Sequence, residues 1–219
     1  MNPKYFIDKR FRGFLPVVID VETGGLNATT DALLEIAAVI VGFNEAGQLE
    51  PKSEQSYHVI PFKGANLEEA ALEFNGIDPF HPFRFAISEK EMLQELFLSV
   101  NEALKESRCS RAVLVGHNAW FDLSFLNAAI QRTGVKNPFH QFTCFDTATL
   151  AGLCFGQTVL KRALNLADIP YDNDEAHSAL YDASCTAKLF CHIVNHWGTL
   201  GGWPLDPLLS KLSASTNRK

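Results

Sequence analysis

The chain has 219 residues, 47% hydrophobic and 20% charged, enough apolar material for a real core and the proportions of one large domain. Its formal charge of −6 argues mildly against a general polyanion binder, because nonspecific nucleic-acid affinity comes from Lys and Arg on phosphates. Five cysteines (Cys109, Cys144, Cys154, Cys185, Cys191) with no C-x-x-C pair suggest neither a disulfide framework nor a zinc ribbon, and no apolar run approaches the roughly 20 residues of a membrane span. With a polar start from Met1 to Lys9, these features predict a reduced, cytoplasmic protein with no membrane partner.

In chain order, Lys4, Lys9, Arg10 and Arg12 are interleaved with Tyr5, Phe6, Phe11 and Phe14, a pattern that suits phosphates and bases or a segment docked on the core. Val17 to Gly25 then reads as a strand. Asp20 and Glu22, two residues apart, project from one face of it. Like charges that close disfavour each other's ionisation unless a cation neutralises them, so the stretch reads either as part of a divalent metal site or as a solvated strand end. Glu35–Phe43 and Ser56–Phe62 are the next predicted strands, with a hairpin-type turn at Asn44–Gly47, which makes a meander. Asn66–Phe74 is a short helix ended by Asn75-Gly76 and followed by a loop with Pro79 and Pro82.

A longer helix opens at Ser88, with Glu91 completing a capping box and Leu93, Leu96, Phe97, Val100 and Leu104 forming its apolar stripe. A buried strand, Ala112–Val115, breaks at Gly116-His117-Asn118 before a helix that starts near Phe121 and carries Leu123, Leu126 and Ile130. Asp122 therefore sits at a strand-to-helix junction. Such junctions are where α/β sheets build their sites, although an Asp there also favours the helix dipole. Thr143–Asp146 is predicted as a strand, Gln157–Leu166 as a helix with Lys161 and Arg162, and Ala179–Trp197 as a long amphipathic helix marked by Ala183, Ala187, Phe190, Val194 and Trp197. His177 and Asp182 are five residues apart, about 140° around an ideal helix, so they reach one centre only if His177 lies in the loop before the first turn. Placed with three other acids, His177 is a candidate base for a metal-positioned water.

Three segments in this order, VVIDVETGG, GHNAWFD and HSALYD, resemble the exonuclease motifs of the DEDD superfamily of 3′-to-5′ exonucleases, which have a ribonuclease H-like fold. The tyrosine form of the last motif would need Tyr where Ser178 stands, so the histidine subtype fits. The likeness continues through FRGFLPVVIDVET, DALLEIAAV, ANLEEAALEFNGIDP, NPFH, FDTATLAG, GQTVL, AHSALYDA and GGWPL to a branch of that subtype that trims RNA. It implies an α/β exonuclease fold, a mixed central sheet flanked by helices, with an exonuclease domain over 1–200 that includes the basic N-terminal segment and a tail over 201–219. It also implies a homodimer that trims short single-stranded 3′ ends of tRNA and other stable RNA precursors and acts on single-stranded DNA ends.

By the same resemblance, Asp20, Glu22, Asp122 and Asp182 would hold two Mg²⁺ ions per site, with Asp20 as the bridge and His177 as general base, and the product would be a nucleoside 5′-monophosphate. The resemblance assigns base stacking to Phe74, Phe121 and Phe142, and places Leu26 where another stacking phenylalanine is expected. Ala70, flanked by Glu69 and Glu73, stands where a glutamate reads the terminal base. Arg10, Arg12, Lys105, Arg111 and Lys136 match basic residues that face the partner's active site. The motifs alone would also fit a DNA-proofreading subunit or an oligoribonuclease. A catalytically silent nucleic-acid-binding domain is the rival from another class, and the full set of four acids argues against it.

Overall fold

In the computed structural model, which describes residues 7–201, the two most apolar runs form the middle of a five-stranded sheet. Phe14–Thr23 (β1) and Leu33–Phe43 (β2) are buried on both faces along most of their length, so helices cover both sides. Leu49–His58 (β3) is exposed at most positions and lies at one edge. The sheet order is β3-β2-β1-β4-β5, with Arg111–Gly116 as β4 and Phe139–Asp146 as β5. β1, β2 and β3 are antiparallel neighbours, the expected meander, while β4 runs parallel to β1 and β5 parallel to β4. The mixed sheet flanked by helices agrees with the expected fold class. Lys4, Tyr5, Phe6 and the tail from 202 onward lie outside the described residues.

The helices are Glu69–Asn75 (α1), Glu89–Ser107 (α2), Trp120–Thr133 (α3), Thr147–Phe155 (α4), Leu160–Leu166 (α5) and Ala179–Thr199 (α6). The capping box at α2 is present: Ser88 Oγ accepts from the Glu91 N–H at 3.3 Å, and Glu91 Oε2 accepts from the Ser88 N–H at 3.0 Å. α6 packs on β1, β2 and β3, and α2 packs on α3, β1, β2 and β4. α4, α5 and α6 enclose a smaller cluster built on Ala151, Leu164, Cys185, Leu189 and Ile193. Among the described residues, no helix is long and apolar enough to cross a membrane.

Two expectations need correction, and one helix went unannounced. β3 occupies Leu49–His58 rather than Ser56–Phe62, because an edge strand buries little and its PKSEQSYH stretch carries no apolar signal. β5 starts at Phe139, earlier than Thr143, and its pairing with β4 is irregular between Ala112 and Leu114. Thr147–Phe155 is a helix that the sequence pattern did not announce, since TATLAGLCF is apolar nearly all round; Asp146 caps it by accepting from the Ala148 N–H at 3.0 Å.

Phe190 on α6 is 1% exposed, stacked on Phe145 at 6.0 Å between ring centroids and tilted against Phe11 at 5.9 Å. Phe190→Ala should cost roughly 3–5 kcal/mol. Urea denaturation should show it as a lower midpoint with an unchanged slope.

Candidate active site

The acids of the site come from three places that the sheet brings together. Asp20 and Glu22 lie near the end of β1, where Glu22 pairs with Glu35 of β2 and the register then shifts at Thr23. Asp122 lies in the first turn of α3, 4% exposed, just beyond the carboxyl end of β4. The turn between them is tight: Asn118 sits at φ 63 and donates its N–H to Asp146 Oδ1 at 2.9 Å. A Cβ on Gly116 would fall 2.8 Å from Asp122 Oδ2, so a residue without a side chain is what lets the carboxylate occupy this place.

Asp182 opens α6, and His177 stands in the loop before that helix at φ 67, as the five-residue spacing requires. The His177 N–H donates to Asp182 Oδ2 at 3.1 Å, and its ring packs on Phe74 with centroids 4.3 Å apart. Glu22, His177 and Asp182 each offer a donor atom within 4.8 Å of the others. Asp182 Oδ1 is buried and has no hydrogen-bond partner.

Electrostatics tie all four acids into one cluster. Burial first, then the charge of Asp182, Glu35 and Asp122, pushes the Glu22 carboxyl up to about 8. Burial likewise raises Asp122 to about 8, against the opposing effect of backbone N–H donors, its own and that of Val21. Asp20 is raised well above the carboxylate range by burial and then by Asp122, Asp182 and Glu22, and burial raises Asp182. Without a cation, carboxyls held up to about 8, as those of Glu22 and Asp122 are, keep their protons at neutral pH. The donor set (hard carboxylate oxygens, one imidazole, and an orphaned buried oxygen on Asp182) fits a divalent cation.

The substrate-binding expectations divide by place. Phe74 is exposed and against His177, within the site. Phe121 is half-buried beside Asp122, its ring 5.0 Å from the core Phe125 and 5.8 Å from Trp120, so it serves packing as well. Leu26 is 80% exposed on the loop after β1, and Ala70 is exposed on α1. Phe142 lies in the irregular part of β5, 81% exposed, with its ring near that of His140. Arg10, Arg12, Lys105, Arg111 and Lys136 all lie around the opposite end of the sheet, where β1 and β4 begin and Phe14 pairs with Arg111. From Phe14 to Glu22 is eight strand steps, about 26 Å.

Other residues, to which no role in the site was assigned from sequence, support it. The Asn75 amide donates to the Thr23 carbonyl oxygen at 3.0 Å and to the Glu22 carboxyl. The His117 ring bridges Thr147 Oγ1 at 3.0 Å and the Thr158 carbonyl oxygen at 2.8 Å, tying the GHN turn to α4 and to the approach to α5. Glu35 faces Glu22 across the strands and pairs with His58 Nδ1 at 2.8 Å. Only Glu35 had a usable signal, a lone charge in an apolar strand.

A model of the exonuclease family matches residues 17–190. Ribonuclease T of Hahella chejuensis is 60% identical over 206 residues, covering 94% of each chain, and that of Vibrio campbellii is 58% identical, covering 93% of this chain and 96% of its own. The chain belongs to the ribonuclease T family of exonucleases. Identity of this extent to named ribonucleases T makes the chain a 3′–5′ exonuclease. Solved structures agree at the level of fold: E. coli exonuclease I in complex with a dT13 oligonucleotide has a TM-score of 0.65 at 15% identity, over 85% of this chain and 42% of its own. A full-length 3′-exonuclease has a TM-score of 0.64 at 18% identity, over 83% and 82%.

The raised carboxyls have a consequence for stability. A group such as Glu22, held near 8 in the folded state against an ordinary value of 4.5, keeps a proton that the unfolded chain loses between those values. The native state then binds more protons, so metal-free stability should fall as pH rises from about 5 to about 8. Thermal melting in EDTA should show this slope, and added Mg²⁺ should raise the melting temperature more at the alkaline end.

Proposed function

We propose that the chain is a metal-dependent 3′–5′ exoribonuclease that trims short single-stranded 3′ ends of tRNA and other stable RNA precursors in the cytoplasm, and also accepts single-stranded DNA ends. The observation that carries this reading is the convergence of Asp20, Glu22, Asp122 and Asp182 on one half-buried spot, with the exposed His177 beside it between Asp182 and Phe74. The four carboxylates would hold two Mg²⁺ ions, and these would supply an activated water and offset charge on the departing 3′ oxygen.

The chain's own groups do the rest. His177, its backbone fixed by Asp182 and its ring steadied by Phe74, takes the proton of the attacking water. The water oxygen bonds to phosphorus and the bond from phosphorus to the upstream 3′ oxygen breaks. The phosphate leaves on the terminal residue as a nucleoside 5′-monophosphate, and the departing 3′ oxygen takes a proton from solvent water to become the 3′ hydroxyl of the shortened strand. Phe74 and Phe121 stack the last bases, which tolerates any sequence and requires unpaired ends, while Phe142 and Leu26 extend contact outward. Leucine at 26 has no π face, so terminal-base preference there rests on apolar contact alone.

A homodimer answers the position of the cations. Arg10, Arg12, Lys105, Arg111 and Lys136 lie too far from their own acids to grip the same substrate end. A second copy arranged head to tail would set this basic pole beside its partner's site, so the substrate's phosphates meet positive charge that the acidic site itself lacks.

On RNA with a 3′ overhang, the wild type in Mg²⁺ should remove nucleotides stepwise and stop near the duplex, and EDTA should abolish this. Asp20→Asn should lose turnover while its far-UV spectrum and melting curve remain those of a folded protein, and His177→Ala should lose about 100-fold or more. Retained activity in Asp20→Asn, or tight binding without degradation by wild type, would overturn the reading. Arg12→Ala should raise KM on tRNA-like ends far more than on a small phosphodiester; an equal loss on both would remove Arg12 from the substrate grip.

A further inference from the structure

The loop after α1 carries three aromatic rings in solvent. Phe80, Phe83 and Phe85 are 76%, 74% and 83% exposed, so each forgoes the burial that an aromatic side chain usually gains. The loop itself is firmly held. Asp78 Oδ1 accepts from the Phe80 N–H at 3.0 Å, His81 Nδ1 accepts from the Phe83 N–H at 3.3 Å, and Arg84 donates to the carbonyl oxygens of Pro79 at 3.2 Å and Leu34 at 2.8 Å. Pro79 and Pro82 restrict it further. Phe85 stands at φ 49, a left-handed conformation uncommon for a bulky residue, while its ring remains in water.

Both ends of this loop are pinned to the strand pair that carries Glu22. At its start, Asn75 donates to Thr23 and Phe74 lies on His177. At its far end, Arg84 holds Leu34, whose chain neighbours Leu33 and Glu35 pair with Thr23 and Glu22. Five residues separate Asn75 from Phe80, at most about 17 Å of chain. The rings alternate with His81 and Arg84, and the His81 ring lies 5.7 Å from that of Phe83. This interleaving of aromatic and basic groups matches bases and phosphates better than the uninterrupted apolar face a protein partner would need.

We propose that Phe80, Phe83 and Phe85 form a second stacking platform for upstream bases of the same single strand whose 3′ end occupies the acid cluster. The platform rests on the exoribonuclease reading above. It lengthens the bound single strand without touching the reacting phosphate, so it acts on affinity for long overhangs and leaves the chemical step alone.

The test compares the full-length wild type with the variant Phe80→Ser/Phe83→Ser/Phe85→Ser on RNA duplexes carrying either a dinucleotide or about an eight-nucleotide 3′ overhang. The variant's KM on the long overhang should rise about tenfold, with kcat unchanged and the dinucleotide overhang unaffected. Equilibrium binding of the same labelled RNAs in EDTA should show the same length-dependent loss without turnover. An unchanged KM on the long overhang, or an equal rise on both, would overturn the platform. So would a change in molar mass by light scattering, which would make the loop a contact between protein chains. Failure of the wild type to degrade either RNA in Mg²⁺ would sink the exoribonuclease reading, while the binding measurement in EDTA would still judge the platform separately.

Discussion

Four carboxylates crowded at the carboxyl end of a parallel strand pair are the constraint around which this molecule is arranged. Bringing Asp20, Glu22, Asp122 and Asp182 together out of water is unfavourable for each of them, as their raised pKa values record. The apolar β1 and β2, buried on both faces, supply the rigidity that keeps the acids in place against this repulsion. A divalent cation turns the same repulsion into binding energy, so the place where the fold's acids repel one another also suits a cation.

The supporting parts follow from the need to aim these acids. A glycine at 116 makes room for the Asp122 carboxylate, left-handed turns at Asn118 and His177 reverse the chain close to the helix starts, and Asn75 braces the end of β1. His177 is exposed while its Asp182 partner is half-buried, which suits a base that must exchange its proton with solvent and leave the carboxylate in charge of position.

Charge is separated along the sheet. The acids gather where β1 and β4 end, and the basic residues gather where those strands begin, so a net negative chain still has a positive pole. This division keeps the basic residues away from the acid cluster of the same chain. On the proposed dimer, the grip on long nucleic acid would be a property of two chains rather than one.

Much of the site was legible from local sequence, because the relevant geometry is local. A two-residue spacing on a strand sets Asp20 and Glu22 on one face, a strand–glycine–helix passage puts Asp122 at a junction, and five residues from His177 to Asp182 demand a loop before α6. Pattern also marked β1, β2 and α2, where apolar spacing is strong. It failed at β3 and α4, where an edge strand is polar and a short helix is apolar nearly all round, so neither shows the period of its own structure. The sequence alone determined the chemistry available: which acids, which base and which rings. Tertiary structure decided which of them meet. It set Phe74 against His177, left Phe142 beside His140, placed the basic residues at the far end of the sheet, and turned Phe80, Phe83 and Phe85 into solvent, because side-chain neighbours across strands and helices depend on register and packing that no single segment encodes.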